Sequence, residues 1–149
     1  MSRPKSYLDL VVWQKAMALA RQAYVLSERL PKREAYGLVS QIRRAAVSIA
    51  GNVAEGYGRL TDSQFRHFLG NARGSLYEMQ TQMELAADLG YLDKEAEHQL
   101  MEQGSEVARL INGLLIELRS SANTGNQAAN STNTASSADP ANSANAHVS

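Results

Sequence analysis

The chain has 149 residues, zero formal net charge and no cysteine. This length suits one domain, and the lack of cysteine excludes disulfides, thiolate metal sites and cysteine nucleophiles. No stretch approaches the roughly 18 apolar residues of a membrane span. An apolar run follows Arg3 and Lys5, but Asp9, Gln14 and Lys15 interrupt it, so we expect no signal peptide and a cytoplasmic protein.

The charges are unevenly distributed along the chain. Residues 1–73 carry twelve Lys/Arg and five Asp/Glu, a net charge of +7, whereas residues 74–119 carry three and nine, a net charge of −6. When the two halves pack together, they either attract each other or present a basic face and an acidic face. The sequence leaves both interpretations open.

The first predicted helix runs from Asp9, as its N-cap, to Leu30, where Pro31 stops it. Apolar residues recur at spacings of three and four positions, at Val12, Ala16, Leu19, Ala23, Leu26 and Leu30. A second apolar strip lies about a quarter-turn away, at Leu10, Trp13, Met17 and Tyr24.

This second strip widens the apolar arc of the helix to about 200°, whereas a bundle helix needs only about 100°. One interpretation is that Trp13 and Tyr24 cover the edge of the core. We prefer a contact with another copy of the chain through Trp13, Met17 and Tyr24.

Three further helices are predicted. The second runs from Lys32 to Glu55 and is ended by the Gly56–Tyr57–Gly58 cluster, since glycine permits a positive φ at a C-cap. The third begins with the capping box Thr61–Gln64 and ends at Gly90. The fourth runs from near Asp93 to about Arg119.

Long amphipathic helices with short connections predict an all-α, antiparallel up-down four-helix bundle over residues 8–119. Residues 1–7 are expected to be a flexible N-terminus. Residues 120–149 are rich in Ser, Asn, Ala and Thr, and Asp139 is their only charge. Such a segment cannot bury enough apolar surface to offset its ordering entropy, so we predict a disordered C-terminal tail.

Two lines of small or neutral polar residues stand out on consecutive helices. Helix 2 carries Ser40, Arg44, Ser48, Asn52 and Glu55 opposite its core strip, and helix 3 carries Gln64, Asn71, Ser75, Glu78 and Gln82. We predict a shared polar seam that either lies between chains or lines a groove. The interface candidates on it are Arg44, Ser48, Asn52, Glu55, Ser75 and Glu78.

Catalysis by the carboxylates is the weakest hypothesis. Glu55 and Glu78 are a candidate acid–base or metal pair, but the Glu-x-x-His motifs of di-metal bundles are missing. His67 and His98 are interpreted as surface residues. We therefore expect no enzyme activity, no catalytic residue, no cofactor and no metal.

Basic residues form the remaining signal. Arg66 and Arg73 share a face of helix 3, and the other candidates lie on helix 2, in its preceding connection and just before helix 3. Arginine suits bidentate phosphate contacts, so the candidates for nucleic-acid binding are Lys32, Arg33, Arg43, Arg59, Arg66 and Arg73. The alternative is a solvated surface paired with acidic residues of the fourth helix.

The run from Gln41 to Gly56 contains the unusual pattern Arg-x-x-x-Ser-x-x-x-Asn-x-x-Glu-Gly and resembles the hallmark segment of the bacterial four helix bundle protein family. These are also called ribosomal RNA intervening-sequence proteins and are labelled ribosomal-protein-like. Asp9–Ala16 and Phe65–Glu78 resemble the family as well, and the resemblance covers about residues 7–119.

The resemblance implies an antiparallel four-helix bundle that forms a homopentamer. Distant relatives accompany the reverse transcriptase of diversity-generating retroelements and bind nucleic acid. We therefore predict a non-enzymatic oligomer that binds RNA or DNA through its arginine-rich surface. The alternative is a protein-interaction adaptor or scaffold, with a reverse transcriptase or another protein as its partner.

Overall fold

The computed structural model describes residues 4–133. Four α-helices follow one another: α1 (Val11–Ser27), α2 (Leu38–Tyr57), α3 (Asp62–Asp88) and α4 (Lys94–Asn133). Short 3-10 helices, Tyr7–Asp9 and Lys32–Glu34, precede α1 and α2. Within the described residues, the predicted all-α class is confirmed.

Contacts between helices establish the up-down order. Each helix packs against the next, and α1 also packs against α4, which closes the bundle. Paired positions run in opposite directions along the α2–α3 interface, where Gln41 bonds to Gln82 and Ser48 bonds to Ser75. The predicted bundle topology is thereby confirmed.

The core is continuous and draws on all four helices. The predicted core residues of the first helix are all buried, and Ile42, Ala46, Ile49 and Val53 of α2 are fully buried, whereas Leu38 at its start is half-buried. The largest fully buried side chains belong to Leu, Ile, Met and Val residues, and their removal from water provides the main driving force for folding. They include Leu19, Leu26, Ile42, Ile49, Leu69, Leu76, Met79, Met83, Leu100 and Ile111.

The predicted N-cap of α1 at Asp9 is wrong. Asp9 lies in the preceding 3-10 helix, whose cap is Ser6, and Leu10 occupies the N-cap position of α1 without a side-chain hydrogen bond. Helix α1 ends at Ser27 rather than at Leu30, because Arg29 and Leu30 bond to carbonyls three residues back and tighten the last turn.

The predicted second helix is interrupted near its start. Gly37 takes an irregular conformation at the N-cap position, and the Glu34 carboxylate accepts a 3.0 Å hydrogen bond from the amide of Leu38. The true start of α2 is therefore Leu38, where a carboxylate from the preceding 3-10 helix satisfies an otherwise free backbone donor.

The end of α2 also differs from the prediction. Gly58 is the C-cap with φ −75°, so no positive φ is used there. Gly56 lies inside the helix instead, where an added Cβ would sit 2.6 Å from the Cβ of Phe68 and 2.9 Å from the ring of Phe65. The glycine therefore allows α2 and α3 to approach closely where they meet.

The ends of α3 and the start of α4 follow the prediction. Thr61 caps α3 by accepting a 3.2 Å hydrogen bond from the amide of Gln64, and Gly90 follows α3 with φ 81°. Asp93 caps α4 through a 2.7 Å bond from the amide of Ala96.

Helix α4 continues past the predicted end at Arg119 and reaches Asn133. The hydroxyl groups of Ser120, Ser121 and Thr124 each bond to the backbone carbonyl four residues earlier, so these residues turn their polar groups toward the helix itself. Of the predicted tail, residues 134–149 lie outside the described residues, as do residues 1–3 of the predicted flexible N-terminus.

Candidate nucleic-acid interface and apolar groove

Arg43, a predicted nucleic-acid residue, holds α2 against the end of α1. Its Nε donates a 2.9 Å hydrogen bond to the hydroxyl of Ser27, and its guanidinium lies 4.7 Å from the ring centroid of Tyr24. Glu28 lies 4.0 Å from another of its nitrogens. These contacts occupy the guanidinium and leave it poorly available to a phosphate.

Arg59 is likewise engaged at the end of α2. Its Nη2 lies 2.8 Å from Glu55 Oε1, and its guanidinium stacks 4.7 Å from the ring centroid of Phe68. Glu55, a predicted interface residue, is therefore the partner of an arginine four residues away. Arg33 contacts Tyr91 near the opposite end of the bundle, and its neighbour Lys32 is exposed.

Arg66 and Arg73 belong to a groove between α3 and α4 that Arg119 also lines. The groove has a volume of about 380 Å³, and its remaining lining residues are Asn112, Leu115 and Ile116. Arg73 Nη1 donates a 2.9 Å hydrogen bond to Asn112 Oδ1, which holds this side chain across the groove. The Nε of Arg66 is buried and has no hydrogen-bond partner within residues 4–133.

The antiparallel register explains why Arg119 joins the groove. Asn112 faces Arg73, and a step of seven residues, about two helical turns, leads from Asn112 to Arg119 and from Arg73 back to Arg66. The sequence prediction missed Arg119, although this matched spacing of seven residues was its signal.

The charge of this groove is not neutralised within the described part of the chain. There, none of the three arginines forms an ion pair with a carboxylate. Three guanidinium groups beside the apolar side chains of Leu115 and Ile116 suit an anion that carries several oxygen acceptors and an apolar portion.

The predicted polar seam forms inside one chain, between α2 and α3. The hydroxyls of Ser48 and Ser75 lie 2.9 Å apart, and the amide of Asn52 donates to both the hydroxyl and the carbonyl oxygen of Ser48, at 2.9 and 2.8 Å. These three side chains are half-buried. That they also contact a second copy stays a prediction.

The seam continues toward the start of α2 through a group of longer contacts. The buried Gln82 donates to Gln41 Oε1 at 3.4 Å and to Glu78 Oε1 at 3.3 Å. Glu78 is exposed at the end of this chain of contacts. Arg44 lies four residues before Ser48 on the outer face of α2, where it is exposed and lines a shallow groove with Tyr24 and Tyr36.

The predicted second apolar strip lines a groove between α1 and α2. Trp13, Met17 and Tyr24 form its α1 side, and small residues of α2 form its floor at Ala50, Gly51 and Ala54. The groove has a volume of about 620 Å³, and among the described residues Arg21 is the only charged one that lines it. Tyr7 packs edge-to-face on Trp13, with ring centroids 5.2 Å apart, and extends this surface.

The carboxylates do not assemble into a site within residues 4–133. That part of the chain contains no group of three or more His, Cys, Asp or Glu side chains with the geometry to hold a metal ion. Glu55 pairs with Arg59 and Glu78 accepts from Gln82. None of the described helices is both long and apolar enough to cross a lipid bilayer.

Fold and surfaces together define an all-α antiparallel four-helix bundle with a polar α2–α3 seam and, within residues 4–133, an arginine groove that no carboxylate pairs with. A sequence profile described as 23S rRNA-intervening sequence protein matches residues 8–113. The chain belongs to this family. No curated protein matches it.

A solved structure supports the same fold. The chain is similar to a protein of unknown function from the S23 ribosomal protein family of Bacteroides thetaiotaomicron VPI-5482, with a TM-score of 0.66 and 22% sequence identity. The match covers 70% of this chain and 98% of that protein. At this identity the likeness concerns the fold alone.

Proposed function

We propose that this protein is a non-enzymatic, self-associating bundle that binds nucleic acid through the α3–α4 groove. The observation that carries the proposal is the convergence of Arg66, Arg73 and Arg119 on one groove without a carboxylate partner among the described residues. Phosphates of a nucleic-acid backbone supply the missing negative charge, and arginine binds them in bidentate fashion.

The structure narrows the set of arginines that this proposal uses. Arg43 and Arg59 are engaged in contacts within the protein, and Arg33 and Lys32 lie near the other end of the bundle. The name of the family refers to 23S rRNA, which makes RNA the first nucleic acid to test.

The test is fluorescence anisotropy with labelled RNA over a series of salt concentrations. We expect binding at low salt that weakens steeply as salt rises, because bound phosphates release counterions. The double variant Arg66→Glu/Arg73→Glu is expected to bind at least about tenfold more weakly and to lower the log–log salt slope by about 2, roughly one per lost phosphate contact.

Arg109→Glu provides the matched control. Arg109 is exposed on α4 and lies beside Glu102 and Glu106 rather than in the arginine groove. The variant changes the net charge by the same amount per substitution and leaves the groove intact. Equal losses in this control, or no binding at low salt, would argue against the proposal.

The self-association part of the proposal rests on the apolar groove between α1 and α2. Together with the core strip, its aromatic residues give α1 a wider apolar arc than a helix of a lone bundle needs. An exposed apolar patch of this kind typically marks a contact site. Analytical ultracentrifugation after nuclease treatment tests it, with a mass of several chains expected. The pentamer that the resemblance implies is one such mass, and a monomer would contradict this part.

The second candidate function is a protein-interaction adaptor that uses the same groove for another protein, such as a reverse transcriptase. The apolar lining of the groove favours it. A nuclease-resistant complex with one defined protein, together with no affinity for RNA or DNA, would favour the adaptor over the nucleic-acid proposal.

A further inference from the structure

The α1–α2 groove is a concave, open surface. Its floor consists of Ala50, Gly51 and Ala54, and a Cβ added at Gly51 would meet no atom within 4 Å. A floor of small side chains allows another helix to approach the backbone closely. Two such concave surfaces placed face to face would leave a gap, so the occupant has to be convex.

A convex apolar ridge is present elsewhere on the same chain. Tyr77 and Leu85 of α3, and Leu89 directly after it, are 49%, 47% and 52% exposed. They belong to one row of every fourth residue, a ridge that winds by about 40° per step around the outer face of the helix. Thr81 lies between them, and its hydroxyl bonds to the carbonyl of Tyr77 at 2.7 Å, so its polar atom is already used.

We infer that the α3 ridge of one copy, formed by Tyr77, Leu85 and Leu89, docks in the α1–α2 groove of the next copy. The inference rests on the proposed self-association and specifies its two surfaces. An apolar helix face laid in an apolar groove is a recurrent mode of recognition, read at spacings of three, four and seven residues.

Charge complementarity supports this pairing. The ridge is flanked by the exposed carboxylates of Glu78, Glu84 and Asp88, of which Asp88 lies 3.7 Å from Lys94 Nζ. The groove is lined by Arg21, and Arg44 lies in the adjoining shallow groove that shares Tyr24 and Val47. Within residues 4–133, neither of these two arginines forms an ion pair. An acidic rim around the ridge therefore meets a basic rim around the groove, which favours this partner over a like-charged one.

The two surfaces differ from each other, so the contact is heterologous. Such contacts build rings when the rotation closes and filaments when it does not. The ridge lies on the second half of α3, whereas Arg66 and Arg73 lie on its first half. Each copy in the assembly thus carries its own arginine groove, and Tyr77 of the ridge lies one helical turn from Arg73.

Cross-linking between two single-cysteine variants tests the inference, because the natural chain has no cysteine. Gly51→Cys places a thiol on the groove floor, and Leu85→Cys places one on the ridge. The two variants carry different tags, are co-expressed and are treated with a short bismaleimide. We expect a covalent dimer that contains both tags, and no dimer when either variant is expressed alone.

Each other outcome overturns the inference in a recognisable way. Cross-linking by Gly51→Cys alone would mean that the groove meets another groove. A mass of several chains without the mixed dimer would support self-association but contradict docking of the ridge in the groove. A monomeric mass would contradict both self-association and this docking. Gly113→Cys, at an open and exposed position of α4, replaces Leu85→Cys in the control for random collisions.

A second variant examines the ridge without a cross-linker. Leu85→Asp is expected to reduce the assembly to monomers by burying a charge in the contact, while circular dichroism shows unchanged helix content. Leu60→Asp alters another exposed leucine, in the α2–α3 connection, and is expected to preserve the assembly. Unchanged mass in Leu85→Asp would overturn the inference.

Discussion

On the side of α3 that faces α2, Ser75 shares a hydrogen bond with Ser48, and Asn52 completes the group. On the side that faces α4, Arg66 and Arg73 line one groove with Arg119, and within residues 4–133 only Arg73 of the three has a hydrogen-bond partner, Asn112. The side that faces α2 thus pairs Ser48, Asn52 and Ser75 within the chain, although the buried Oε1 of Gln82 has no partner among the described residues. The side that faces α4 holds arginine charge that no carboxylate within residues 4–133 neutralises.

The difference has an energetic meaning. Removing a group from a satisfied buried network costs stability, because its partner loses a hydrogen bond without gaining water. Removing a charge from an unpaired arginine cluster costs little stability and instead weakens the binding of an anion. The seam should therefore respond to mutation in unfolding experiments, and the arginine groove in binding experiments.

The largest effect is expected at the core beneath the seam. Ile49 is fully buried, and Ile49→Ala should lower the free energy of unfolding by roughly 2–5 kcal/mol through lost burial and a residual cavity. Urea denaturation at a fixed protein concentration measures it. Ser40→Ala, at an exposed position of the same helix, should change stability by less than about 0.5 kcal/mol.

Two glycines of α2 should respond with opposite signs. Gly56→Ala should destabilise the bundle by about 1–3 kcal/mol, because the new methyl group overlaps Phe68 and Phe65 at the approach of α3. Gly51→Ala places its methyl group away from every atom of its own chain and, in the monomeric Leu85→Asp background that leaves the groove empty, should stabilise the helix by up to about 1 kcal/mol. Thermal melts of the two variants measure these changes in stability. A change of the same sign in both variants would contradict the close approach of α2 and α3 at Gly56.

The seam itself should show an intermediate effect. Asn52→Leu removes the two bonds to Ser48 and should cost about 1–2 kcal/mol. A change within about 0.5 kcal/mol would indicate a solvent-facing side chain. If the assembly dissociates while the unfolding energy of the monomer stays constant, the seam also contacts a second copy.

The smallest effect on stability is expected in the arginine groove. Arg119→Gln should change the free energy of unfolding by less than about 0.5 kcal/mol, while the salt slope of RNA binding falls by about 1. Denaturation and anisotropy on the same preparation measure both quantities. A large loss of stability with unchanged RNA affinity would place Arg119 with the structural residues, like Arg43.

The sequence by itself determined the number of helices, their order and most of the core, because the 3.6-residue period of apolar side chains is a local property. It also identified the cap Thr61 and placed the start of α4 near Asp93, and both residues bond to backbone amides three residues away. It misplaced the start of α2, because the amide of Leu38 is capped by the carboxylate of Glu34, four residues earlier, and not by the residue at the N-cap position.

Only the tertiary structure decided which polar residues are free. Arg43 and Arg66 look alike in sequence, yet the first meets Ser27 and Tyr24 while the second lies beside Arg119. The exposure of the ridge around Leu85 was also decided by the tertiary structure, because the periodicity of one helix does not reveal it. Whether a charged or apolar side chain has a partner depends on residues far away in sequence, and packing of the helices brings them together.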